Sequence, residues 1–248
     1  MKDFILEACV DSVESALAAA EAKVTRLELC SNLIVGGTTP SPCLYHEIRK
    51  YTDIPIHVLI RPRFGDFCYS DYEYEMIKQE VKMYTELGAE GVVIGILKSD
   101  GTLNTEQLKE LAELSKGRSL TLHRAFDVCV NPYHALDQAI DLGFDTILTS
   151  GQKNVCIEGM DLLKELVTIS EDKIDIQIGS GVNAEAIKKL RPATGARAFH
   201  MSGKTSIESA MEYRKEGVNM GLPAMSEYEV WRTDVKKLIA ARKVLEEI

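Results

Sequence analysis

Two arginines, an aspartate and a tyrosine crowd one short segment, Arg61-Pro62-Arg63-Phe64-Gly65-Asp66-Phe67-Cys68-Tyr69, directly after the apolar run His57-Val58-Leu59-Ile60. The run suits a buried strand. Pro62 ends it, because proline has no amide hydrogen for the next rung of a ladder. Charge at the exit of a buried strand is costly to desolvate and is hard to explain as core filler. Guanidinium groups in such a place suit a carboxylate or a phosphate, which they grip bidentately.

The same concentration recurs after other apolar runs. Glu7 and Cys9, Glu28 and Cys30, His123 with Arg124 and Asp127, and His200 with Ser202 all stand at such ends. Side chains alternate along a strand, so Glu7 shares a face with Cys9, and Glu28 with Cys30. Neighbouring strands lie about 4.8 Å apart, which lets the two thiols approach as a soft two-coordinate site. Thiolates favour Cu(I) or zinc; the competing reading is cysteine as a small apolar filler. Arg61, Arg63 and Arg124 are either a clamp for an anion or part of an ion-pair network with Glu7, Glu28, Asp66 and Asp127. His123 and His200 are candidate acid/base groups or ligands, set against plain hydrogen-bonded histidines. His57 lies deeper and reads as a satisfied core histidine. Gly179-Ser180-Gly181 and Ser202-Gly203-Lys204 either point turn amides at an anion or simply make tight turns.

These groups need a scaffold that brings strand ends together. Eight short apolar runs serve: Phe4 to Cys9, Thr25 to Cys30, Pro55 to Arg61, Gly91 to Leu97, Ser119 to His123, Phe144 to Thr149, Ile174 to Ile178 and Ala198 to Met201. Helical periodicity separates them, with caps at Asp11 or Ser12, Asn104, Asn131 and Asn183 and stops at Gly88, Gly117 and Gly143. Near-continuous apolar strands alternating with helices describe a parallel sheet covered on both faces. The pattern predicts one domain over residues 1–248, a closed (β/α)8 TIM-type barrel, whose chemistry gathers at the carboxyl ends of the strands. An open doubly wound sheet is the rival; no Gly-x-Gly-x-x-Gly follows the first strand. Residues 204–225 read as an irregular loop and Glu227 to Glu247 as the last helix.

Composition limits the partners. The 248 residues are 45% hydrophobic and 27% charged, as in ordinary soluble proteins. A net charge of -9 argues against nucleic acid or an anionic membrane as a general partner. Glu7 interrupts Phe4-Ile5-Leu6 before a secretory h-region forms, and Gly91 to Leu97 is far short of a membrane span. Six cysteines without a Cys-x-x-Cys pair read as reduced thiols of a cytoplasmic protein.

The segments Leu-Glu-Ala-Cys-Val-Asp-Ser, Arg-Leu-Glu-Leu-Cys with Gly-Gly-Thr-Thr-Pro-Ser, Ile-Arg-Pro-Arg-Phe-Gly-Asp-Phe-Cys-Tyr-Ser, His-Arg-Ala-Phe-Asp and Ile-Leu-Thr-Ser-Gly together resemble the CutC family, named for copper homeostasis. The resemblance runs from the first strand to about residue 220. It implies a cytoplasmic βα barrel, dimeric or larger, associated with copper handling. It implies Cys9 and Cys30 as Cu(I) thiolates, and a pocket of Glu7, Glu28, Arg61, Arg63, Asp66, His123, Arg124, Asp127 and His200. Phe64, Ser180 and Met201 depart from the family pattern. Two functions stay open on the residues. One is a Cu(I)-binding homeostasis protein using Cys9 and Cys30. The other is a metal-independent barrel enzyme acting on a small phosphorylated or carboxylated metabolite. In the enzyme reading Glu28, His123 and Asp127 are the candidate catalytic groups. Glu7, Arg61, Arg63, Asp66, Arg124, Gly179, Gly181, His200 and Ser202 then hold the substrate.

Overall fold

The computed structural model describes residues 4–221 and 225–247. Eight strands, β1 (Ile5–Val10), β2 (Arg26–Leu29), β3 (Ile56–Leu59), β4 (Gly91–Ile94), β5 (Ser119–Leu122), β6 (Thr146–Thr149), β7 (Asp175–Ile178) and β8 (Ala198–Met201), close into a barrel in chain order. All the barrel pairings are parallel, and β1 closes on β8 with Glu7 opposite His200. The intervening helices are α1 (Val13–Glu21), α2 (Pro42–Arg49), α3 (Asp71–Glu86), α4 (Thr105–Leu114), α5 (Pro132–Asp141), α6 (Met160–Ser170) and α7 (Ala184–Thr194). The predicted TIM-type barrel is therefore the observed fold. Ser12, Asn104, Asn131 and Asn183 each accept a backbone N–H at a helix start, as the capping reading expects. Among the described residues, no helix is long and apolar enough to cross a membrane.

The strands are buried on both faces, but the faces differ in chemistry. Leu6, Ala8, Val10, Leu27, Leu29, Val58, Ile60, Val92, Ile94 and Ile147 join the helices in one apolar core. The alternate positions, which face the barrel interior, carry Glu7, Arg26, Glu28, His57, Thr121, His123, Thr146 and Gln177, all buried. Barrel interiors are usually filled by Val, Ile and Leu. Here Cys9, Cys30, Leu59 and Val93 form a small apolar cluster within. Two glycines make room for the interior imidazoles. A Cβ at Gly91 would stand 2.6 Å from a His57 ring carbon, and one at Gly95 2.5 Å from Cε1 of His123.

The C-terminal part differs from the sequence expectation. Lys204–Glu208 is a strand, β9, and pairs antiparallel with β10 (Glu229–Thr233). The last helix, α8 (Val235–Glu247), starts only after this ribbon, with Asp234 accepting the Lys236 N–H. β9 has no apolar face to announce it. Its partner lies more than twenty residues on, so no local periodicity shows the pairing. Trp231 belongs to this ribbon, where Lys204 Nζ sits 3.6 Å from its ring centre. Residues 222–224, at the end of the expected loop, lie outside the described residues.

Candidate functional site

The interior polar groups form two connected layers. In the deeper one, the Glu7 carboxylate accepts from Arg26 Nε, from Gln177 Nε2 at 2.8 Å and is 2.7 Å from His200 Nδ1; Arg26 Nη2 donates to Gln177 Oε1 at 3.2 Å. Burial alone would raise the Glu7 carboxyl. Arg26 and the His200 hydrogen bond outweigh it and hold Glu7 well below the usual carboxylate range.

Above it stands a thiol, carboxylate and imidazole cluster. The strand register sets Cys9 opposite Glu28, and Cys9 Sγ donates to Glu28 Oε2 at 2.9 Å. The two sulfurs, Cys9 Sγ and Cys30 Sγ, are 3.6 Å apart and are free cysteines. His200 Nε2 lies 3.8 Å from Glu28 Oε2. One ligand atom each from Cys9, Glu28 and His200 falls within 4.8 Å of the others. Burial works against a charged His200. Glu28, the Cys9 hydrogen bond and Glu7 override it and keep His200 protonated well above its ordinary range. The hydrogen bond with Cys30 and burial push the Cys9 thiol well up. For Cys30 the bond to Cys9 pulls down, but burial, Glu28 and Asp11 raise it. Burial, with Glu7 adding repulsion against the pull of His200, raises the Glu28 carboxyl. Both thiols therefore favour their protonated form in the cluster as it stands. Such a donor set fits a soft metal ion, since thiolate ligands release protons on binding.

A cavity of about 620 Å³ opens on this cluster. Cys9, Glu28 and His200 line one part, and Arg61, Phe67 and His123 another; Arg124, Asp127, Gly181, Ser202 and Lys204 stand around it. His123 is buried, and its Nδ1 accepts the Ala125 N–H at 3.1 Å, which leaves the proton on Nε2. Burial, helped by Arg61, lowers its pKa to about 3, so His123 is neutral at ordinary pH.

The remaining candidates are held in other ways. Arg63 pairs with Asp66 at 3.0 Å and with Glu73 at 2.5 Å, and neither Arg63 nor Asp66 lines the cavity. Gly179 is packed under Leu148, where a Cβ would come within 2.6 Å, while Gly181 reaches the cavity wall. The first turn of α7 is already capped by Asn183, and Ser180 Oγ donates to the Asn154 carbonyl at 2.6 Å. Asp127 accepts from Arg124 Nε at 2.6 Å, Thr149 Oγ1 at 2.5 Å and the amides of Ser150 and Gln152 at 3.0 and 3.2 Å. These bonds tie the β5 exit to the loop after β6. Asp127→Ala should orphan those amides and destabilise the fold by about 1–3 kcal/mol in urea denaturation. An unchanged midpoint would show that the tie carries nothing.

Arg26 and Gln177 complete the Glu7 layer, and the reading of strand exits does not point to them. They sit inside strands instead of at the exits. The signal available was a charged or amide residue within the otherwise apolar runs Arg26-Leu27-Glu28-Leu29 and Ile176-Gln177-Ile178. Phe67, too, lines the cavity, where the sequence offers it only as part of a loop.

A parallel eight-stranded barrel with a buried cluster of two thiols, a carboxylate and an imidazole at its carboxyl rim defines the class of protein. The description "CutC family" matches residues 4–205, and the chain belongs to that family. A CutC from Bacteroides fragilis is 45% identical over 243 residues, covering 96% of each chain. A mouse (Mus musculus) relative described as a copper homeostasis protein cutC homolog is 38% identical over 246 residues, covering 99% of this chain and 90% of its own. A CutC crystal structure from Streptococcus agalactiae superposes with a TM-score of 0.76 at 34% identity, over 80% of this chain and 98% of that one.

Proposed function

We propose that this protein binds Cu(I) through Cys9 and Cys30 and serves copper homeostasis, the role that the description of its mouse relative names for that protein. The observation that carries the reading is the 3.6 Å approach of two free thiols on adjacent strands, beside Glu28 and His200. Both thiols are buried and raised, so copper would enter with release of their protons, and its affinity rises with pH. A reducing cytosol suits the pair, which otherwise stands close enough to invite oxidation. A dimer or larger homo-oligomer belongs to the same reading, supported by exposed Met211, Tyr213, Val218 and Met220 beside the β9–β10 ribbon; light scattering in solution reads it.

The test is a Cu(I) titration against a competing chelator for wild type and Cys9→Ser/Cys30→Ser. The double variant should lose more affinity than the roughly 10–100-fold that changes around a metal's ligands produce. Equal stoichiometry and affinity would remove both cysteines from the reading.

A further inference from the structure

Copper leaves the other wall of the cavity unexplained, because a soft cation has no use for a guanidinium. Arg61 is 7% exposed, yet it makes no ion pair among the described residues. Its Nη1 donates to the carbonyls of Val35 and Gly37 at 3.2 and 3.1 Å, and its Nη2 to that of Gly65 at 2.8 Å. A guanidinium has five N–H donors, so Nε–H and one Nη2–H remain. Nε is buried with no hydrogen-bond partner. Burial works against the Arg61 charge and lowers its pKa; the nearby Tyr69 hydroxyl favours the charge, but it completes no hydrogen bond with Nε. His123 repeats the pattern: 3% exposed, and its Nε2–H is buried without an acceptor. The Phe67 ring touches both, with centres 4.7 Å from the His123 ring and 5.0 Å from Arg61 Cζ. Two buried donors and one unbalanced positive charge thus surround a single aromatic ring at the edge of a cavity. Buried donors left unpaired are destabilising, a cost that an acceptor placed between them would relieve.

We propose that Arg61 and His123 form a binding site for the carboxylate of a small monoanionic ligand, with the Phe67 ring as its displaceable cover. The charge selects the class. One guanidinium and one neutral imidazole match a single negative charge; the other cations on the cavity are already engaged, His200 with Glu28, Arg124 with Asp127 and Lys204 on the Trp231 ring. The free Nε–H and Nη2–H suit the two oxygens of a planar carboxylate. The Phe67 carbonyl accepts the Leu97 N–H at 2.9 Å, which anchors its backbone, so that uncovering the site needs a side-chain rotation only. Arg63 and Arg124 are not part of this site, because each is already paired with a carboxylate.

Pyruvate and propionate are the probes, with inorganic phosphate and methyl pyruvate as comparisons, read by calorimetry and by thermal shift. Both carboxylates should bind wild type and raise its melting temperature, and methyl pyruvate should not. Phe67→Ala should bind the carboxylates tighter, by the fraction of time the ring occupies the site. Arg61→Met should abolish the response. Arg61 also fastens three loop carbonyls, so a second pair guards against a folding defect. His123→Asn keeps the acceptor for the Ala125 amide but lacks the distal N–H, and should weaken binding about tenfold. His123→Gln, which restores an N–H near Nε2, should recover most of it. Silence of wild type and Phe67→Ala toward both carboxylates would overturn the proposal, as would equal binding by His123→Asn or a preference for phosphate. The copper titration reads different residues, so either proposal can fail alone.

Discussion

Glu7→Ala is expected to lower the unfolding free energy by about 3–5 kcal/mol, the range found when one partner of a buried ion pair is removed. The carboxylate is 1% exposed and is the shared acceptor of Arg26, Gln177 and His200. Without it two cationic groups, Arg26 and His200, remain in the interior, with Glu28, 3.8 Å from His200, left to compensate. Such a loss is a large share of the 5–15 kcal/mol that hold a typical domain together. Glu7→Gln should fall between, because it keeps the shape and the oxygen acceptor but removes the charge. Urea unfolding measures both, with the slope checked so that a change in the denatured state is not mistaken for lost stability. The same variant should let the His200 ring deprotonate more readily, which nitrogen NMR of the imidazole reads. A loss under about 1 kcal/mol, with an unchanged slope, would mean that the layer is not an ion-pair network in solution.

The barrel was legible because its determinants are local. Asn104 and Asn131 cap helices, Gly88 and Gly143 end them, and each apolar run is bounded by such signals. The juxtaposition of Cys9 and Cys30 followed from alternation and strand adjacency alone, and the sulfurs do meet. What could not be read was the division of labour among the charges. Arg61, Arg63 and Arg124 look alike as sequence, yet Arg63 is tied to Glu73 and Arg124 to Asp127, while Arg61 donates to three backbone carbonyls and pairs with no carboxylate among the described residues. Partner choice depends on loops from distant parts of the chain folding over one another, and no spacing rule encodes it. His57 shows the same limit. A satisfied core histidine was expected, but its Nδ1 is buried without a partner. The β9–β10 ribbon was missed for a related reason, since its pairing is long-range and its residues are largely exposed.

Stability should also pass through a maximum near pH 6.5, because the interior histidines pull in opposite directions on either side of it. Burial, with Arg26 adding to it, lowers His57 to about 4, and burial with Arg61 lowers His123 to about 3. In the unfolded chain both titrate near 6.5. Between 6.5 and those folded values the unfolded state binds more protons, so stability falls as the pH falls. His200 has the opposite sign: its folded pKa is raised, so its contribution is complete below 6.5 and is lost as pH climbs through the folded value. Glu7, whose pKa is depressed, adds to the acid loss only below the ordinary carboxylate range, and Glu28, which is raised, offsets part of it above that range. A comparison of wild type with His123→Asn isolates one term. Asparagine keeps the acceptor for the Ala125 amide but cannot take a proton. The acid limb of the variant should therefore be shallower by up to about 1.4 kcal/mol per pH unit, the full linkage of one group. Above pH 6.5 the two curves should run parallel. Urea unfolding between pH 4 and 8 decides the matter. Parallel acid limbs would show that His123 takes up its proton in the folded state as readily as in the unfolded one, and its neutral form could then no longer be the fixed donor on the cavity wall.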